Sequence, residues 1–402
     1  MEFTYRCMDC RTRYPGDTIR YLCPACASKT PSGEFISGLL EVENTLPDPH
    51  EARSFSSFSP YPLPDTRAFP AGNTPLVKPL ELSSRYHFSR LFFKLDSLNP
   101  SGSFKDRASL MVAAQALHHG EQAVVLASTG NAGSAMACAG AAFGLQVVLF
   151  VPESAPANKL MQSVLYGAQV VPIEGTYDEA FRLSIEWTQA FGGVNRNTAY
   201  NPMTVEGKKS VSIELWEQFG SRIPDVVYIP VGDGVIFSGV YKGFRDLVDA
   251  GLTDRLPALV CVQSELSDAI SRAWKTGAPL ALSEASTLAD SISVASPAGG
   301  RYALRGLIDS GGWATVVSDT AILDAQRELS RDAGIFAEPA AAAAWAGLRQ
   351  DRQRLADTFG DDARIAVLIT GTGFKDMGVF SSVTMPKAIP PTLEAAEERL
   401  QK

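Results

Sequence analysis

Between Leu91 and Ile369 short apolar runs alternate with longer stretches of helical pattern, and this alternation restricts the chain to parallel sheets covered by helices. The expected strands are Leu91–Leu95, Ala123–Ala127, Val147–Val151, Val170–Ile173, Val226–Val231, Leu259–Val262 and Ile365–Ile369. The expected helices are Ser103–His119, Asn131–Phe143, Asn158–Tyr166, Tyr177–Phe191, Gly239–Ala250, Thr320–Ala333 and Pro339–Leu348. Within the last, Ala340–Ala344 reads as close helix packing rather than low complexity.

With 402 residues the chain can bury a large core. Hydrophobic residues at 45% and charged residues at 20% are ordinary for a soluble globular enzyme. The net charge of −8 supplies no basic face to track a phosphate backbone, so no nucleic-acid partner is expected. No stretch approaches the ~18 apolar residues that span a bilayer, and Met1–Cys7 lacks the pattern of a secretory leader. The expectation is a cytoplasmic protein with no membrane contact.

Cys7-Met-Asp-Cys10 and Cys23-Pro-Ala-Cys26, twelve residues apart, form two knuckles that can bring four thiolates onto one ion. Structural zinc is expected, against a disulfide pair or a metal-free remnant; iron is compatible with the same ligands. Cys138 and Cys261 lie in apolar segments and read as reduced core thiols. From Asn44 to about Pro70 six prolines disfavour regular structure and predict an extended connector. After Pro391, Thr392–Gln401 is a short charged helix.

Four polar, glycine-bearing segments follow apolar runs. In Asn99-Pro-Ser-Gly-Ser-Phe-Lys-Asp-Arg107 a lysine, Lys105, stands after a Gly-Ser turn at the mouth of an apolar helix. Alone it has a bland reading, with Ser103 as a cap and Lys105, Asp106 and Arg107 as a solvated first turn. Ser128-Thr-Gly-Asn-Ala-Gly133, Val231-Gly-Asp-Gly-Val-Ile236 and Thr370-Gly-Thr-Gly373 are its companions, and together they predict one shared pocket. Backbone N–H groups over Gly232–Ile236 suit a phosphate, and Ser128, Thr129, Asn131 and Ala132 offer donors to a carboxylate.

With Gly72-Asn-Thr-Pro-Leu76, Glu206-Gly-Lys-Lys209 and Gly334-Ile-Phe-Ala-Glu-Pro339 added, the chain resembles, from Gly72 to Lys375, the pyridoxal-phosphate (PLP) enzymes of fold type II, and within them the threonine synthases. The resemblance implies an α/β fold of two open parallel or mixed sheets flanked by helices, preceded here by a zinc ribbon. It implies that Lys105 bonds the cofactor aldehyde, Phe104 packs the ring, Asn131 contacts its phenolic oxygen and Thr370 its nitrogen. Gly232, Asp233, Gly234, Val235 and Ile236 would hold the cofactor phosphate. Lys159, Lys208, Lys209, Lys242 and Lys375 lack the preceding Ser-Phe pair. An amino-acid substrate would meet Ser128, Thr129, Asn131 and Ala132, with Asn197, Thr198 and Thr204 at its distal group. The implied division is residues 1–43 (ribbon), 44–70 (arm), 71–105 with 212–390 (cofactor domain), 106–211 (substrate domain) and 391–402 (tail), working as a homodimer.

Threonine synthases convert O-phospho-L-homoserine and water to L-threonine and phosphate, and grip the substrate phosphate with an Asn-Ser-x-Asn-Pro-Tyr-Arg-like segment. Here that segment reads Asn197-Thr-Ala-Tyr-Asn-Pro-Met-Thr204, with Met203-Thr204 in place of Tyr-Arg and one residue inserted. Val235-Ile236 stands where Gly-Asn is common. Loss of a bidentate arginine is not neutral, and Lys208, Lys209 and Lys242 are the candidates to compensate. Two other functions stay open: β-elimination or β-replacement, as in threonine or serine dehydratases, diaminopropionate lyases or cysteine synthases, and a non-catalytic zinc-ribbon interaction protein.

Overall fold

A computed structural model describes residues 2–29, 35–52, 54–381 and 383–400. At the N-terminus β1 (Phe3–Cys7) pairs antiparallel with β2 (Arg13–Pro15) and β3 (Leu40–Asn44). Phe3, Tyr5 and Cys7 point inward at the two-residue period of a strand. The following arm contains one short 3-10 turn, Phe55–Phe58, and buries Phe58, Tyr61 and Phe69. Its described residues hold no strand or α-helix after β3, and turns at 49–51 and 66–68 interrupt its course.

The chain then enters a large sheet through β4 (Leu76–Val77) and β5 (Arg90–Leu95). It leaves to build a second sheet from β6 (Ala123–Ala127), β7 (Gln146–Pro152), β8 (Gln169–Ile173) and β9 (Val194–Asn195), in the order β8-β7-β6-β9. It returns with β10 (Val226–Pro230), β11 (Ala258–Ser264), β12 (Trp313–Val317) and β13 (Arg364–Ile369). The large sheet runs β12-β11-β10-β13-β5-β4, parallel except for β4.

Both faces of this sheet are covered, so its strands are apolar throughout. Val226, Tyr228, Val260 and Val262 belong to one core, and Val227, Ile229, Leu259 and Cys261 to the other. Ala340–Ala344 lies in the helix Pro339–Gln350, which is buried along ten residues. A Cβ on Gly347 of this helix would sit 2.7 Å from Val262 Cγ2, so small residues set the close approach.

All seven expected strands are present. β4, β9 and β12 were not expected, nor were the helices Leu80–Tyr86, Met203–Lys208, Ser210–Gln218, Ala269–Thr276, Gly300–Asp309 and Arg352–Phe359. Two helix starts are corrected. The helix expected from Gly239 begins at Val235, because Gly234, with φ +86°, turns the chain directly into it. The helix expected from Ser103 begins at Lys105, and Asp106 and Arg107 are buried rather than solvated. The tail helix spans Leu393–Leu400, and Gln401 lies outside the described residues.

Candidate active site

In the large sheet β10, β13 and β5 are neighbours, so the loops leaving their carboxyl ends lie side by side. These loops carry Gly232–Ile236, Thr370–Gly373 and the Lys105 turn. The last two are stitched together: Phe104 N–H donates to Thr370 O at 2.8 Å, and Thr372 N–H donates to Gly102 O at 3.0 Å. The Ser128 loop faces them from the second sheet. Asn131 Nδ2 reaches Glu338 Oε2 at 3.0 Å and Ser291 Oγ at 3.3 Å.

Lys105, Gly232, Asp233, Gly234, Ile236, Glu338 and Thr370 line one pocket. Lys105 is half-buried there and opens its helix. Burial lowers the Lys105 ammonium's affinity for its proton, and Asp233 and Glu338 only partly oppose this. Phe104, directly before it in the chain, is fully buried. Burial raises the Glu338 carboxyl, against the Asn131 hydrogen bond and the charge of Lys105.

The Gly232–Gly234 turn is shaped by contact. A Cβ on Gly232 would lie 2.8 Å from Ile292 Cα, and one on Gly234 would lie 2.9 Å from Gly299 C. The helix Val235–Asp249 follows at once, so its first-turn N–H groups, which have no intrahelical partners, lie at the pocket end of β10. Asp233 Oδ1 accepts the N–H of Val235 at 2.9 Å.

The second sheet's loop is equally ordered. Ser128 Oγ accepts from Gly130 N–H at 3.2 Å and Gly133 N–H at 3.1 Å, with Thr129 and Ala132 half-exposed beside it. Asn197 and Thr204, expected at the substrate's distal group, are instead engaged internally. Asn197 accepts from Ala127 N–H at 2.8 Å and donates to Ser184 Oγ at 2.7 Å. The Thr204 hydroxyl donates to Asn201 O at 2.7 Å, and the residue is fully buried. Thr198 accepts from Arg196 Nη1 at 2.8 Å.

Two charged residues beside this pocket, Arg196 and Glu338, have no role in the sequence reading, and a third, Lys208, is there one of three lysines offered in place of the missing arginine. Lys208 stood out only as one lysine among several. Its rivals are occupied: Lys159 pairs with Asp290 at 2.9 Å, Lys209 and Lys242 share Glu206 and Asp246, and Lys375 donates to Ser134 at 2.8 Å and Gln162 at 2.5 Å.

In the N-terminal module, ligand atoms of Cys7, Cys10, Cys23 and Cys26 all lie within 4.8 Å of one another, and all four thiols are free. The hairpin turn supplies the first pair and the short helix Pro24–Ala27 the second. No helix among the described residues is long and apolar enough to cross a membrane.

Residues 68–371 match the family described as "Pyridoxal-phosphate dependent enzyme". The chain belongs to this PLP-dependent family. It is 32% identical over 402 residues to the threonine synthase of Methanosarcina acetivorans, covering 98% of both chains. It is 30% identical over 381 residues to that of Methanocaldococcus jannaschii, covering 92% of both. Among solved structures it resembles maize serine racemase, with a TM-score of 0.64, 20% identity, and coverage of 82% of this chain and 94% of that one. Processed threonine deaminase isoform 2 from Solanum lycopersicum gives 0.64 at 22% identity, covering 77% and 87%. These structural likenesses establish fold type II.

The residues present fit PLP. An aldehyde requires an amine of lowered proton affinity in a sheltered pocket, and Lys105 is one. A phosphate requires a glycine turn at the start of a long helix, and Gly232–Ile236 forms that turn ahead of fifteen helical residues.

Proposed function

We propose that the chain is a PLP-dependent carbon–oxygen lyase of threonine synthase type, converting O-phospho-L-homoserine and water to L-threonine and phosphate. The alignment with the Methanosarcina acetivorans threonine synthase carries this reading, because it spans 98% of the chain, cysteine module included.

When bound, PLP supplies the electron sink for negative charge at the substrate's α-carbon. The chain's residues do the rest. Lys105 Nζ, biased toward its neutral form by burial, takes the α-proton and shuttles protons at the β- and γ-carbons. The γ-carbon–oxygen bond breaks with its electron pair leaving on phosphate. Water adds its hydroxyl at the β-carbon and the γ-carbon ends as a methyl group. With the cofactor bound, Phe104 would pack the ring and exclude water, and Asn131, held by Glu338, would address the phenolic oxygen. Thr370, which lines the pocket, would offer a neutral hydroxyl to the ring nitrogen. Such a donor makes the ring a weaker sink than a carboxylate partner would, which suits elimination and replacement over transamination. Gly232, Asp233, Gly234, Val235 and Ile236 would hold the cofactor phosphate. Ser128, Thr129, Asn131 and Ala132 receive the substrate carboxylate at a helix N-terminus.

Borohydride reduction of the holoenzyme followed by peptide mapping should place the pyridoxyl group on Lys105. Labelling at another lysine would remove it from this role. A panel of O-phosphohomoserine, homoserine, threonine, serine and O-phosphoserine, scored for threonine, keto acid and phosphate, tests the reaction. The second reading, β-elimination from a hydroxy amino acid, is favoured by Met203-Thr204 in place of Tyr-Arg, and keto acid from threonine or serine would establish it.

The four cysteines hold one structural zinc in this proposal, on the support of their clustering and their free state. Free thiols also suit a cytoplasmic enzyme. The domain division and homodimer implied by the family resemblance complete the reading, and light scattering checks the dimer.

A further inference from the structure

Arg196 and Lys208 are each 0% exposed. Arg196 uses one donor on Thr198. Its Nε and Nη2 atoms, and the Lys208 ammonium, have no hydrogen-bond partner among the described residues. Isolated buried cations are strongly disfavoured, and the neighbouring lysines Lys209 and Lys242 show the usual remedy by sharing two carboxylates.

Both cations stand beside the PLP pocket. Lys208 closes the helix Met203–Lys208, which wedges between two others. A Cβ on Gly207 would lie 2.7 Å from Ala108 Cα, and one on Gly239 would lie 2.5 Å from Lys208 Cβ. Lys208 therefore springs from beside the first turns of the helix that follows the Gly232 loop. Arg196 follows β9 from the second sheet. Their charges act on each other and converge on Asp233, and both also act on Lys105. Burial holds the Arg196 guanidinium down at about 10 and Lys208 well below its ordinary value, with Asp233 opposing in each case. Asp233 is thus one carboxylate facing several cations, and its Oδ1 already accepts from Val235.

We propose that Arg196 and Lys208 form the receptor for a phosphate monoester, that of the amino-acid substrate. The inference rests on the reaction proposed above and names the groups that bind its leaving group. A guanidinium edge and an ammonium present enough open donors for the oxygens of one dianion. Lys208 lies four residues after Thr204, on the same helix face, so a cation is restored one turn from the position where the arginine is missing. The cofactor carries a phosphate of the same chemistry, but the Gly232 turn and the backbone N–H groups of the Val235 helix already suit it. The side-chain cations remain for the second phosphate.

The test uses the holoenzyme with Lys208→Met and Arg196→Met. Each variant should raise KM for O-phosphohomoserine roughly tenfold or more and weaken inhibition by inorganic phosphate in parallel, because each removes a charge-assisted contact. PLP absorbance should be retained. KM and phosphate inhibition within twofold of wild type would overturn the proposal. So would loss of PLP with an unchanged KM after reconstitution, which would assign the cations to the cofactor's phosphate. If wild type does not turn over O-phosphohomoserine, the proposed reaction fails, and calorimetric titration with inorganic phosphate reads the receptor separately. Binding by wild type that disappears in both variants supports it; no binding by wild type overturns it. Both variants should melt higher than wild type in phosphate-free buffer, since an unpaired buried charge is gone. A lower melting temperature would show that the cation has a partner within the protein and would overturn the assignment.

Discussion

Glu214→Gln is expected to destabilise the fold by about 3 to 5 kcal/mol at neutral pH, the range for breaking one partner of a buried ion pair. Glu214 clamps Arg107, with Nη1 to Oε1 at 2.5 Å and Nη2 to Oε2 at 2.8 Å, and takes Lys94 Nζ at 2.7 Å. Arg107 also holds Asp96 at 2.7 Å, and the side chains of Arg107, Lys94 and Asp96 are 0% exposed. Two cations therefore balance two carboxylates. The glutamine keeps the shape and leaves one positive charge in excess. Burial pushes the Glu214 carboxyl up, but Arg107 and Lys94 outweigh it and hold it at about 2 instead of 4.5. That difference corresponds to about 3 kcal/mol, in line with the first figure. For a carboxyl whose folded value is depressed, the contribution is full above the unfolded value and is lost as pH falls from about 4.5 toward 2. Denaturant unfolding of both proteins at pH 7 and at a series of lower pH values measures it. A gap under about 1 kcal/mol at pH 7, or one that does not narrow below about pH 4.5, would refute the reasoning. Arg107 also lies 5.4 Å over the Phe104 ring, so the variant should hold PLP less tightly as well.

Gly371→Ala should reduce activity with little change in melting temperature. Its Cβ would fall 2.5 Å from Glu338 Cδ and push away the carboxylate that orients Asn131; wild-type turnover would contradict this. Asp106→Asn should stabilise the protein at pH 8 by a few kcal/mol and little at pH 4, because burial raises the Asp106 carboxyl from 3.8 to about 7 and the penalty of ionising it grows across that window. Equal stability differences at the two pH values would exclude it. Chelation under reducing conditions should release about one metal ion per chain and lower the temperature at which the N-terminal module unfolds; no metal in protein kept reduced would contradict the four-cysteine site.

The sequence revealed those parts of the site whose chemistry is local. A Gly-Asp-Gly turn after an apolar strand, a lysine after Gly-Ser-Phe and a paired Cys-x-x-Cys each carry their reason within a few residues. The helix start at Val235 is not legible in the sequence, because Gly-Asp-Gly reads as loop and only the positive φ of Gly234 turns the chain directly into the helix. Arg196 carries no signal in the sequence, and Lys208 is legible there only as one of three lysines that could replace the missing arginine. A lysine in Glu-Gly-Lys-Lys is equally suited to solvent, an ion pair or a ligand, and only the tertiary contacts show Lys209 paired and Lys208 open. Arg107 has the same history. Its first-turn position suggested solvent, whereas partners at positions 74, 96, 210 and 214 draw it inside.

These buried charges also explain how the cysteine module is fixed to the catalytic body. β3 contributes Glu41, which accepts from Arg6 and lies 3.2 Å from both Arg245 and Tyr302. Arg245 belongs to the Val235 helix that begins at the Gly232 turn. Asn44, at the end of the same strand, donates to Glu206 at 3.0 Å, two residues before Lys208. Glu206 in turn binds Lys209 and Lys242, which share Asp246. One edge of the cysteine module thus touches both helices that frame the phosphate side of the pocket. Disturbing the cysteines should consequently shift phosphate recognition more than proton transfer at Lys105, because Lys105 is anchored through β5 and β13, on which β3 makes no polar contact among the described residues.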